Sequence, residues 1–269
     1  MTHIAQDVDV LLPIRPQPLR LPAVIESLKK QSFKNWHLIA LLDRDDGSNQ
    51  LLLSTLLPDS QLTCIPCDYA KDGFPAMLNQ GLKVSRAPFI ARQDDDDISQ
   101  PFRFESQVKS LICSDGVVAS VGWASVQDQN GRTLHTIRQP SDRREFVRTM
   151  MFKNIVPHSS VMFKRQPVVD LGGYDERLRG CEDYDLWIRL LCKGHIVSID
   201  RVVTEILMNP QGMSRQRVPL SSALILARQR VITCKVLGSP RTTALYGGLR
   251  WYASELLGPM RKRSVAKVD

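Results

Sequence analysis

The chain has 269 residues, 43% hydrophobic and 24% charged, which fits one substantial core and excludes a disordered polymer. The formal net charge is +8, yet Arg215 to Asp269 alone holds 11 Lys and Arg against 2 Asp and Glu. The basicity therefore belongs to the last fifth, which argues against nucleic-acid binding by the main body and for a tail that meets an anionic surface.

Taken in order, the first hundred residues alternate strand and helix signals. Val8 to Pro13, His37 to Leu42, Leu62 to Ile65 and Phe89 to Ala91 read as strands. Leu21 to Gln31, Ser48 to Leu57 and Phe74 to Val84 carry helical apolar spacing between them. This alternation predicts an α/β fold with a mostly parallel central sheet and helices on both faces. Pro101 to Ser114 reads as a helix, Val117 to Val121 as a strand, and Asn130-Gly131 as the turn of a hairpin. Arg143 to Met151 and Glu182 to Cys192 follow as helices, with Ser159 to Phe163 and His195 to Ile199 as strands. Leu220 to Leu237 and Thr243 to Leu257 predict a helical C-terminal tail. The expected division is a catalytic domain over 1–218 and a basic helical extension over 219–269.

No run of eighteen apolar residues is present, and the first residues lack a basic region followed by an apolar run. A cytoplasmic chain with no spanning helix and no secretory signal is expected. Cys64 and Cys67 have CxxC spacing without a second pair, so reduced thiols are expected in preference to a metal or redox site.

In an open parallel sheet, ligands bind outside the carboxyl ends of the strands. Three such ends here are polar: Pro13-Ile14-Arg15, Asp43-Arg-Asp-Asp46 and the run Asp94, Asp95, Asp96, Asp97. Four adjacent carboxylates repel one another unless a positive group sits among them. They read either as ligands of a hard divalent cation shared with substrate phosphates, or as a solvated turn or helix cap. No P-loop lysine motif and no GxGxxG accompanies them. Asp43 reads as a turn aspartate or as an acceptor for a base or ribose. Glu182, Asp183 and Asp185 crowd one helix start, either as dipole-favoured capping groups or with a general base among them.

Val8 to Arg217 resembles the family 2 glycosyltransferases of the GT-A fold. The resemblance rests on Ser27-Leu-Lys-Lys-Gln-Ser-Phe33, Leu78-Asn-Gln-Gly-Leu82 and Ala91-Arg-Gln-Asp-Asp-Asp-Asp-Ile-Ser-Gln-Pro-Phe-Arg103. His158-Ser-Ser-Val-Met-Phe-Lys-Arg165, Leu171-Gly-Gly-Tyr-Asp-Glu176 and Glu182-Asp183 complete it. It implies a nucleotide-diphospho-sugar transferase, with Asp94 and Asp96 as the Asp-x-Asp pair and Asp96 the direct ligand of Mg²⁺ or Mn²⁺. Asp95 joins Asp94 on the donor side, Asp43 meets the nucleobase, and Pro13, Ile14 and Arg15 line its pocket. Asp183 becomes the catalytic base, with Glu182 shaping the acceptor side; His158 is read either beside the diphosphate or acceptor, or as a core histidine. Arg15-Pro16 stands where the family often has an aromatic and Asn, Arg44-Asp45 looks inserted, and Asn209 to Ser214 stands where a His is frequent.

The signature and spanning helices of processive synthases are missing, so the resemblance implies inverting transfer of one sugar, UDP-linked, to a glycan or lipid-linked acceptor. Bacterial surface polysaccharide or glycolipid assembly is the implied setting. Three rivals are weaker. A nucleotidyltransferase wants a Gly-rich basic loop after the first strand, an inactive binding module leaves the paired carboxylates unexplained, and a glycoside hydrolase leaves the strand ends unexplained. In the tail, Leu245, Leu249, Tyr252 and Leu256 recur at helical spacing before Arg261-Lys-Arg263. That pattern predicts either a helix on an anionic membrane face, making the protein peripheral there, or one packed on the sheet or a partner subunit.

Overall fold

The computed structural model describes residues 7–208, 218–238, 240, 242–243 and 245–253. β1 (Val8–Ile14), α1 (Leu21–Lys29), β2 (Trp36–Asp43), α2 (Ser48–Leu56) and β3 (Leu62–Cys67) open the chain. α3 (Tyr69–Asp72) and α4 (Phe74–Val84) lead to β4 (Phe89–Arg92), and β5 (Ile98–Ser99) and α5 (Arg103–Ile112) follow. Next come β6 (Val117–Gln127), β7 (Thr133–Ile137), α6 (Arg143–Met150), β8 (Val161–Lys164) and α7 (Arg165–Asp170). α8 (Glu182–Leu190), β9 (His195–Leu207) and α9 (Leu220–Val236) complete these elements, and 245–253 is again helical.

Among the described residues one sheet runs β3-β2-β1-β4-β8-β6-β9-β5, with β7 on β6. β1 is buried on both faces because its period-2 side chains serve two apolar clusters. Val8, Val10, Leu12 and Ile14 pack with Leu21, Val24, Ile25 and Leu28 of α1 and Phe104 and Leu111 of α5. Leu11 faces the opposite way, toward Leu78 and Leu82 of α4 and the α8 side. Gly81 permits that approach: a Cβ there would stand 2.9 Å from Leu11 Cδ2. Leu226, Cys234 and Trp251 join the α8 cluster, so the inner face of the tail belongs to the core.

The topology places three polar segments at one edge. β2, β1 and β4 are parallel, with Leu11 paired to Arg92 and Ile14 to Leu42. The carboxyl ends therefore emerge together, and the order reverses between β1 and β4. β8 runs antiparallel to β4, so its amino end lies beside the start of the Asp run. β9 pairs with β5 and carries its last residues to the same place.

Several boundaries differ from the sequence expectation. β6 continues to Gln127 and β9 to Leu207, through irregular pairing near Gly122 and Trp123 that interrupts the apolar runs. Ser159 and Ser160, expected as strand, form a 3₁₀ turn with His158. The helix expected over Pro101–Ser114 shortens to α5. α3, β5 and α7 carry no periodic signal of their own. Asn209 to Ser214, Leu256 and Arg261 to Arg263 lie outside the described residues.

Candidate active site

Arg15 leaves β1 at the point where the strand order reverses. Its main-chain N–H donates to Asp95 Oδ2 at 2.9 Å, and its Nε lies 2.9 Å from both Asp95 oxygens. Nη2 reaches Asp95 Oδ1 at 2.5 Å and Asp96 Oδ2 at 2.7 Å. The positive group that the run requires is therefore, at Asp95 and Asp96, an arginine side chain. The pairing joins residues 80 positions apart, which sequence spacing does not reveal. Asp94 Oδ1 takes a second arginine, Arg92 Nη2, at 2.6 Å. Asp97 caps no helix: Ser159 Oγ donates to one of its oxygens and the Leu207 N–H to the other at 3.1 Å. Burial pushes Asp97 well above the usual carboxylate range, against those two donors, and it raises Asp96 too, against Arg15.

A buried scaffold holds this loop. Arg103, fully enclosed, donates to Gln93 Oε1 at 2.9 Å, Ser99 Oγ at 2.8 Å and the Arg92 and Val161 carbonyls at 2.7 and 3.1 Å. Desolvation lowers its guanidinium to about 9. The sequence placed Arg103 at the end of a recognisable segment but gave no sign that its side chain turns back into the sheet.

At the end of β2, Asp43 is nearly buried and accepts the Tyr69 N–H at 2.9 Å and Arg44 Nε at 3.3 Å. Arg44 has a left-handed φ of 45°, uncommon for a side-chain-bearing residue, and it follows the strand end directly. Asp45 accepts the Asn49 and Gln50 N–H groups, and Asn49 donates to the Pro16 carbonyl at 3.2 Å. The segment after β1 is thereby tied to α2. Pro13 and Ile14 are buried above it in β1.

Glu182 and Asp183 open α8, where the helix dipole favours negative charge. Asp183 Oδ2 accepts from Asn154 Nδ2 at 2.9 Å, and Oδ1 from the Tyr184 N–H at 2.6 Å. Burial first, and Glu182 second, push Asp183 up to about 7, although one edge of the residue stays open to solvent. Burial also raises Glu182, whose Oε2 has no hydrogen-bond partner among the described residues. A carboxylate poised near 7 can accept a proton at neutral pH, which an ordinary aspartate does poorly.

Tyr174 is buried and feels the charge of both carboxylate groups. Its hydroxyl lies within electrostatic reach of Arg92, Asp183, Glu182 and Asp94. It also meets His158 Nε2 at 2.9 Å. His158 packs edge-on against Phe74 and Trp187, and burial with the Arg92 charge holds it well below its ordinary range, hence neutral. Asn79 clamps Tyr174 by accepting its N–H and donating to its carbonyl, both at 2.9 Å. Gly173, at φ 75°, makes room: a Cβ would stand 2.4 Å from Asn79 Oδ1. Gly173→Ala is expected to cost roughly 1–3 kcal/mol through overpacking, read as a lower urea midpoint with unchanged slope. An unchanged midpoint would show that the clamp yields freely.

A cavity of 610 Å³ is lined in part by Asp175, Arg177, Asp185, Arg189 and Arg228; Asp185 borders it, whereas Glu182, Asp183 and the Asp94–Asp97 run do not. Cys64 and Cys67 are free, and burial pushes the Cys67 thiol up to about 11. No group of three or more His, Cys, Asp or Glu among the described residues is arranged to hold a metal. The Asp run supplies oxygen donors suited to a hard cation, and three of its four carboxyl groups, Asp94, Asp95 and Asp96, are ion-paired with Arg92 or Arg15.

Comparison with known proteins agrees with this architecture. The family described as Glycosyl transferase family 2 matches residues 9–171. The amylovoran biosynthesis glycosyltransferase AmsE of Erwinia amylovora is 29% identical over 188 residues, 68% of each chain. S. aureus TarS 1-349 in complex with UDP-GlcNAc superposes with TM-score 0.69 at 14% identity, over 93% of this chain and 72% of that one. The mannosyltransferase PcManGT from Pyrobaculum calidifontis, in complex with GDP-Man and Mn²⁺, gives 0.62 at 15%, over 99% and 77%. With its GT-A architecture, a curled and mostly parallel sheet flanked by helices, the chain belongs to glycosyl transferase family 2 and is a glycosyltransferase.

Proposed function

We propose that the protein moves one sugar from a UDP-linked donor to an acceptor hydroxyl, with inversion at the anomeric carbon. The observation that carries this reading is Asp183, held at the start of α8 by Asn154 and the Tyr184 N–H and raised to about 7 by burial and by Glu182. Asp183 takes the hydroxyl proton as the acceptor oxygen bonds to the anomeric carbon. The bond to the diphosphate breaks with its electrons on the departing oxygen. Glu182 bounds the acceptor side, Pro13 and Ile14 line the base pocket, and Asp43 accepts from the base. Asp96, with Asp94, would hold Mg²⁺ or Mn²⁺, and Asp95 keeps the loop in place through Arg15. When bound, the ion supplies positive charge to the departing diphosphate. Release of nucleoside diphosphate, screened across UDP- and GDP-sugars with Mn²⁺, tests the donor. Turnover of UDP-sugars alone is expected; release from GDP-sugars only would contradict the assignment.

The acceptor is proposed to be a glycan or lipid-linked sugar of bacterial surface polysaccharide, in line with AmsE's role in amylovoran biosynthesis. No helix among the described residues is long and apolar enough to cross a membrane. Leu245 and Leu249 are 57% and 75% exposed beside Tyr246 and Arg250, and Leu220 and Leu224 are exposed on α9. Tyr252, expected in the same stripe, packs on the core instead. Apolar side chains flanked by a net positive tail fit an anionic lipid surface, where each basic residue adds about 1 kcal/mol. The full chain is expected to sediment with anionic vesicles, less so at high salt, and Leu245→Ser/Leu249→Ser to stay in solution. Equal sedimentation of both would remove the membrane role.

A further inference from the structure

The Arg15 side chain is 38% exposed, while those of Asp95 and Asp96 beneath it are 4% and 11% exposed. One guanidinium thus covers two enclosed carboxylates and is itself reachable from solvent. Nη2 sits on Asp96 Oδ2, one of the two oxygens that a divalent cation on Asp96 would use. A dication and a guanidinium on the same carboxylate repel each other strongly where water is partly excluded, so full occupancy by both is disfavoured. A guanidinium fork fits a phosphate as well as a carboxylate, which gives Arg15 a second station once a diphosphate arrives.

We propose that Arg15 is a built-in competitor of the divalent cation, holding Asp96 in the free protein and passing to the donor's diphosphate when the ion takes the carboxylate. The proposal rests on the reading of Asp96 as the ion's ligand. It makes metal and nucleotide binding mutually reinforcing: the diphosphate offers Arg15 an alternative partner, and by linkage the ion strengthens nucleotide binding equally. Without Arg15, the ion binds the free protein more tightly and the reinforcement shrinks.

The test is Mn²⁺ binding to the full chain, followed by the spin-resonance signal of free Mn²⁺, with and without UDP. Arg15→Gln and Arg15→Lys are compared with the native chain, and thermal unfolding verifies that each is folded. Arg15→Gln is expected to bind Mn²⁺ alone on the order of tenfold more tightly, as for the loss of one charge-assisted competitor, and to gain less from UDP. Arg15→Lys keeps the charge without the fork and is expected to fall between the two, so it serves alone if Arg15→Gln does not fold. Mn²⁺ bound with equal affinity by the native chain and both variants overturns the role of Arg15 while leaving the ion on Asp96. Mn²⁺ bound by none of them, even with UDP, overturns the Asp96 reading and this proposal with it.

Discussion

Asp183→Asn is expected to lose about 10²–10⁴-fold in transfer rate while donor binding measured by calorimetry stays close to native. Asn keeps the size of the side chain and can still accept the Tyr184 N–H, but it cannot take a proton. The native rate is expected to rise with pH up to about 7 and then level off, because burial and Glu182 set the carboxylate there. Stability runs the other way. The folded carboxyl group titrates higher than the unfolded one, so the native state binds more protons between the two values. This group's contribution therefore falls as pH rises from about 4 toward 7, and is constant above that. Asp183→Asn removes both dependences. Near-native turnover by the variant would reduce Asp183 to a helix-terminal group.

Asp96→Ala is expected to lower transfer by about 10²-fold or more, as removal of a preorganised electrostatic contact does. The gain in nucleotide affinity on adding Mn²⁺ should disappear with it. The fold should survive, because Arg15 keeps its four contacts to Asp95 and Asp96 is a buried carboxylate raised by desolvation. Thermal unfolding beside UDP titrations with and without Mn²⁺ checks both halves. An unchanged response to Mn²⁺ in a folded variant would move the ion elsewhere.

Much of the frame was legible because burial on both faces writes continuous apolar strands. Val8 to Pro13 and His37 to Leu42 were located within a residue or two, as was α4 behind Gly73 and Pro75. β9 was read as five residues because Asp200 and Arg201 break its apolar run, yet pairing with β6 carries it to Leu207. That extension brings the Leu207 N–H onto Asp97, a contact that local pattern does not contain. The strand ends expected at one edge of the sheet do emerge together there, and Asp94, Glu182 and Asp183 all act electrostatically on Tyr174. What the sequence hid is the positive half. Arg15, Arg92 and Arg103 look like ordinary charges in a chain rich in arginine, yet Arg15 closes over Asp95 from 80 residues away and Arg92 and Arg103 are buried. His158 shows the reverse: a conspicuous histidine that burial and Arg92 keep neutral among aromatic rings.

Inversion by direct attack of a hydroxyl deprotonated by Asp183 is the centre of this account, and the anomer of the product reports on it. With an α-linked UDP-sugar as donor and a simple alcohol as acceptor, the glycoside is trapped and its anomeric proton coupling is read by NMR. The β-glycoside is predicted, with none formed by Asp183→Asn. An α-glycoside would require two displacements or attack from the leaving-group side, and would contradict the role assigned to Asp183.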